Sequence, residues 1–118
     1  MTMDARTLAT TYFQSWKERD FITLRSILAD DVTFHGTLGT TDGAEKCVEG
    51  MTGLAKIITD IVIRKMVADG PDVMTWHDLH TTVAPPCPTV NWSHIEDGKI
   101  TAIRAVFDPR DIIQGMGQ

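Results

Sequence analysis

The chain opens on a helical rhythm. Leu8, Tyr12 and Trp16 recur four residues apart, with Thr11 and Ser15 beside them, and predict an amphipathic helix from about Asp4 to Glu18. Asp20 then offers a capping side chain for a second helix, in which Phe21, Leu24, Ile27 and Leu28 face one way before Ala29-Asp30-Asp31 ends it. A short strand, Val32 to His35, is closed by Gly36 and Gly39. Asp42-x-x-Glu45 has the form of a capping box and opens a third helix reaching about Leu54, although Gly50 and Gly53 weaken its second half.

Beyond this point the period changes to that of strands. Ile57–Ala68 is rich in Ile and Val, Asp69-Gly70-Pro71-Asp72 is a turn, and Val73–Ala84 is a second long strand. Pro85-Pro86-Cys87-Pro88 cannot continue a central strand and predicts a hairpin or a bulged edge. Thr89–Glu96 and Lys99–Phe107 flank Asp97-Gly98, the tightest hairpin signal in the chain. Asp108-Pro109 reads as N-cap and first residue of a short terminal helix. Helices that lead into so long a run of strands require a sheet that curls around them, with its other face left for solvent or a partner subunit.

Length and composition narrow the class. The 118 residues allow one domain (1–118), and 42% hydrophobic with 23% charged residues is ordinary globular usage. The net charge is −5 and no stripe of Lys and Arg appears, so no nucleic-acid partner is expected. An apolar run such as Ile61–Ile63 is far short of the roughly 20 residues a membrane span needs, and the first ten residues lack the apolar core of a signal peptide. Cys47 and Cys87 show no metal or redox spacing, and read as reduced thiols of a cytoplasmic protein.

Several of these features occur together in one known family. Tyr12-x₇-Asp20, Ala29-Asp30-Asp31-Val32-Thr33, Gly43 at a helix start, Asp97-Gly98-Lys99-Ile100 and Arg104-Ala-Val-Phe-Asp-Pro resemble, in that order, the nuclear-transport-factor-2-like superfamily. It includes ketosteroid isomerase, SnoaL-type polyketide cyclases, limonene epoxide hydrolase and scytalone dehydratase. The resemblance covers about Arg6 to Ile113 and implies an α+β fold: a cone-shaped, curved antiparallel sheet wrapped by N-terminal helices, a cystatin-like α+β barrel. It also implies a pocket for a small, largely apolar molecule carrying one or two oxygens. Since the fold hosts enzymes, carriers and interaction modules, function rests on the site.

The resemblance places Thr101, Ile103, Ala105 and Phe107 inward on the last strand, Asn91, Ser93 and Ile95 on the strand before it, and Met74, Trp76, Asp78 and His80 on the central strand. The implied apolar box is Trp16, Phe34, Met74, Trp76, Ile95, Ile103 and Phe107. Tyr12 takes the position of the isomerase phenol that donates to an enolate oxygen, and Asn91 that of its second oxyanion donor; both could equally be packed polar residues. Asp78 and His80, two apart on one face, are a candidate proton-transfer pair. A one-residue shift in register would instead turn His77 and Leu79 inward and leave Asp78 in solvent. Gly36 stands where the isomerase keeps its base, and Ala105 where cyclases and the epoxide hydrolase keep an acid. His35 is a candidate replacement base if the strand kinks at Gly36, and otherwise a surface histidine. Asp108 is assigned to helix capping.

No metal is expected, because His77, His80 and His94 lack a ligand set with metal spacing, and no phosphate loop or other cofactor motif occurs. Two readings follow: an acid/base enzyme of isomerase, cyclase, dehydratase or epoxide hydrolase type, or a non-catalytic ligand-binding or dimerising domain. A homodimer through the outer sheet face is expected, with Val73, Leu79, Val90, Trp92 and Val106 as its apolar rows.

Overall fold

A computed structural model describes residues 3–117. Its elements are α1 (Ala5–Lys17), α2 (Phe21–Ser26), β1 (Leu28–Gly36), β2 (Gly39–Asp42), α3 (Ala44–Ala55), β3 (Ile58–Asp69), β4 (Asp72–Thr81), β5 (Cys87–Glu96), β6 (Lys99–Phe107) and α4 (Arg110–Met116). The strands form one sheet in the order β2-β1-β6-β5-β4-β3. Its concave face holds α1 and α3 over a core of Leu8, Tyr12, Phe13, Leu24, Val32, Ile61, Val73, Leu79, Ile100 and Ile103. This is the expected α+β cone.

Local chemistry accounts for the helix starts. Asp4 accepts from the Thr7 N–H at 2.8 Å, and Asp20 from the Thr23 N–H at 3.1 Å, each satisfying a first-turn donor. The α1 stripe is wider than Leu8, Tyr12 and Trp16, because Ala9 and Phe13 are buried too. Asp97 and Gly98 both take positive φ, 51° and 75°, as a two-residue turn matching the strand twist requires.

Five expectations are corrected. The second helix stops at Ser26, and Leu28 to Asp31 belong to β1, which is nine residues long. β1 runs parallel to β6 (Leu28↔Ile100, Phe34↔Ile103), so the sheet is mixed rather than wholly antiparallel. No capping box forms: Asp42 is drawn into β2 opposite Thr33, and Gly43, at φ 94°, is the α3 N-cap without a side-chain bond. At the C-terminus the N-cap is Pro109, one residue late, although Asp108 still accepts from the Arg110 N–H at 3.1 Å. The proline-rich segment is a loop only as far as Pro86. Cys87 and Pro88 enter β5, Pro88 near its start opposite Asp78.

α4 packs across the loop after β4. A Cβ on Gly115 would lie 2.1 Å from the Val83 carbonyl oxygen, so this approach needs glycine. Ile112 is buried beneath it.

Candidate functional site

The register of β4 decides what the cone contains. Val73, Thr75, His77 and Leu79 are its inward residues, all buried. Met74 and Trp76 stand on the outer face, 47% and 52% exposed, and do not line the interior. Asp78 also faces outward, where its Oδ2 accepts from Arg64 at 2.7 and 2.8 Å. His80 lies opposite Asp60 in the β3–β4 register, and its buried Nε2 has no hydrogen-bond partner. Asp78 and His80 therefore do not form the expected pair: each carboxylate near them is held by a cation, Asp78 by Arg64 and Asp60 by Lys17. His35 is exposed beside Thr40 and Arg104, and β1 runs unkinked through Gly36, which pairs with Ala105. It does not take the place of a base.

The other expected positions come together. Asn91 and Ser93 of β5 are buried on the concave face, with Ile103 beside Ser93 and Phe107 beside Thr89 on β6. Thr75, Asn91, Ala105 and Gly36 form one row across four strands. Tyr12 reaches this row from α1, fully buried. Asn91 lies beside its phenol, close enough to favour the ionised form but without the alignment of a hydrogen bond; burial, the larger effect, pushes the phenol up. The Asn91 Oδ1 accepts from Ser93 Oγ at 3.3 Å, leaving its amide protons free to donate.

His77 is the interior histidine. Its ring packs against Phe13 at 4.9 Å between centroids, its Nδ1 is buried without a partner, and burial lowers its pKa to about 4. No carboxylate is buried among the described residues. His77 is thus the one buried side chain of this face that is a base at neutral pH. The signal that could have found it is parity: it shares its face with Val73 and Leu79.

A cavity of about 350 Å³ lies at the side of the cone, between α1, the β1–β2 hairpin, α3 and α4. Trp16, Phe34, Leu38, Met51, Leu54 and Met116 supply its apolar walls, and no charged residue lines it. Trp16 and Phe34 are the two residues of the expected box that line this space. Gly50 and Gly53 of α3 also line it, so the residues that weaken the helix are those that leave room beside it. The Phe34 ring covers Gly36, whose Cβ would lie 2.7 Å from Phe34 Cε1. It therefore stands between the cavity and the Asn91–Ala105–Gly36 row.

Among the described residues no group of three or more His, Cys, Asp or Glu side chains is placed to hold a metal ion, and no helix is long and apolar enough to cross a membrane. Cys47 and Cys87 are both free and buried.

Comparison with known proteins matches residues 9–103 to the SnoaL-like domain. Among solved structures, a protein from Kribbella flavida superposes with a TM-score of 0.90 at 25% identity, over 97% of this chain and 94% of its own. An epoxide hydrolase from M. tuberculosis, of the LEH-like type, superposes with a TM-score of 0.79 at 21% identity, covering 97% and 90%. A protein of ketosteroid isomerase-like fold from Catenulispora acidiphila, in complex with trimethylamine, gives 0.78 at 18% identity, covering 93% and 92%. No curated protein matches the chain.

Proposed function

The chain belongs to the SnoaL-like domain family, and on that premise we propose that it binds a small, largely apolar, oxygenated molecule in the cavity walled by Trp16, Phe34, Met51 and Leu54. The observation that carries this reading is the charge-free, apolar lining of the cavity, along which Gly50 and Gly53 in the second half of α3 add no side chain. In a methyl-labelled sample, apolar alcohols and ketones are expected to shift the Met51 and Met116 resonances saturably. Shifts confined to residues outside the cavity would overturn the assignment.

A second reading, an acid/base enzyme, is favoured by one observation: Tyr12 Oη and His77 Nδ1 are both buried without partners on the floor of the cone. There Tyr12 and Asn91 would hold a substrate oxygen and His77 would accept the proton. On this reading a substrate that turns over loses about 10²-fold or more in rate with His77→Gln. Unchanged turnover in that variant would remove His77 from the chemistry.

We also propose that the domain is a homodimer through the outer sheet face. Trp76, Val90 and Val106 are neighbours across three strands of that face, with Met74 and Trp92 in the next row. Met74 and Trp76 take the places expected for Val73 and Leu79, which are buried inward. Apolar side chains exposed together on one sheet face in this way mark an interaction surface. Sedimentation at micromolar concentration is expected to give twice the 13.1 kDa chain mass, and Trp76→Glu the monomer. A monomeric native protein would refute the interface.

A further inference from the structure

We propose that Thr41 is the residue through which the cavity recognises its ligand, and that the ligand is a neutral molecule with one alcohol or ketone oxygen on a compact hydrocarbon frame. This rests on the cavity being a ligand site, as proposed above, and adds to it the atom that reads the oxygen.

Elimination among the lining groups leads to Thr41. Four side chains of the lining carry a polar atom or a thiol: Trp16, Thr40, Thr41 and Cys47. The Trp16 indole N–H is committed to the Met51 carbonyl at 2.9 Å. Thr40 is exposed on the rim strand. The Cys47 thiol is a weak donor, 3.9 Å from the Met51 sulfur, and burial keeps it protonated. Thr41 remains. It faces Phe34 across the β1–β2 pair, so both side chains lie on the cavity side of the hairpin. Its Oγ1 is buried beside Cys47 with no hydrogen-bond partner, the one oxygen in this wall left unsatisfied. Its Cγ2 faces Gly50, 3.9 Å from where a Cβ there would stand.

The side chain can present either group. A 120° turn about χ1 exchanges hydroxyl and methyl, and threonine populates more than one such well. With only hydrocarbon in the cavity, the methyl faces it and the hydroxyl turns towards the thiol. A ligand oxygen draws the hydroxyl round and supplies the partner it lacks. At the buried Thr41 hydroxyl the charged version of the same molecule is disfavoured. A carboxylate there would lose its hydration with no cation in reach, which costs far more than one hydroxyl returns. A cavity of about 350 Å³ is suited to a compact one- or two-ring frame.

Four probes on one skeleton test this: tert-butylcyclohexane, 4-tert-butylcyclohexanol, 4-tert-butylcyclohexanone and 4-tert-butylcyclohexanecarboxylate. Each is titrated at pH 7 into the full chain while the Met51 and Met116 methyl resonances are followed. The alcohol and ketone are expected to bind about tenfold tighter than the hydrocarbon, and the carboxylate not to saturate. Thr41→Val keeps the shape and should bring that preference to within about twofold without weakening the hydrocarbon. Thr41→Ser, which keeps the hydroxyl, should retain it. A preference that survives Thr41→Val, or that disappears in Tyr12→Phe instead, overturns the assignment to Thr41 while leaving the cavity as a site. If no probe moves either methyl, the cavity reading fails, and this inference fails with it.

Discussion

Acidification from pH 7 to pH 4 is expected to cost the protein about 3 kcal/mol of folding stability through His77 alone. Its folded pKa, about 4, is depressed from the ordinary 6.5 because the ring is buried against Phe13 with no acid to pair with its charged form. The unfolded chain takes up a proton near pH 6.5, while the folded chain refuses it until about pH 4. Stability from this group is therefore complete above 6.5 and lost as the pH falls between those values. Carboxylates whose pKa is lowered, such as Asp72 and Asp108, hold stability that is lost only below their ordinary 3.8. His94 acts in the opposite sense. Its pKa is raised by the hydrogen bond to Asp72, so its contribution is present below pH 6.5 and lost as the pH rises, and as an exposed pair it is screened by salt. Urea denaturation at pH 7, 5.5 and 4 reads the slope, and His77→Gln should flatten it. An equal slope in that variant would show that His77 takes up its proton alike in the folded and unfolded chain.

How much of this was legible depends on whether a residue's environment is set locally. The cap at Asp20, the Asp97-Gly98 turn and the strands around it follow from neighbours within a few positions, and all form. The parallel pairing of β1 with β6 joins segments about seventy residues apart, and through Leu28↔Ile100 it takes Leu28 out of the helix its apolar spacing suggested. Among the site residues, Tyr12, Trp16, Phe34 and Ile103 lie on elements with one apolar face, so their direction could be read. Asn91 was placed by the resemblance alone, because on β5 the inward row is Thr89, Asn91 and Ser93 and the outward row holds Val90 and Trp92. β4 has no such asymmetry. Its even positions carry Met74 and Trp76, its odd positions Val73, Thr75, His77 and Leu79, and the larger apolar side chains are on the outside. Alternation there points the wrong way, for the same reason that the outer face is a candidate interface. The cavity was illegible in a different manner: glycines in a helix register as weak helix, and only the packing of α3 against the hairpin turns them into space.

Truncating two aromatics should separate the faces of the sheet by several kcal/mol. Phe13→Ala is expected to cost about 3–5 kcal/mol, since the ring is 2% exposed, meets Tyr12 edge-on at 4.9 Å and covers His77. Trp76→Ala should cost under about 1 kcal/mol in the monomer, because half of that indole is already in water. The second variant carries a further expectation. If the outer face joins two copies, Trp76→Ala loses the part of the stability that depends on protein concentration, while Phe13→Ala lowers the curve equally at every concentration. Urea titrations at 1 and 100 times a low protein concentration make the comparison. A cost for Trp76→Ala as large as that of Phe13→Ala in the dilute sample would mean that the indole lies inside the cone. The β4 register, and with it the separation of Asp78 from the interior, would then have to be reversed.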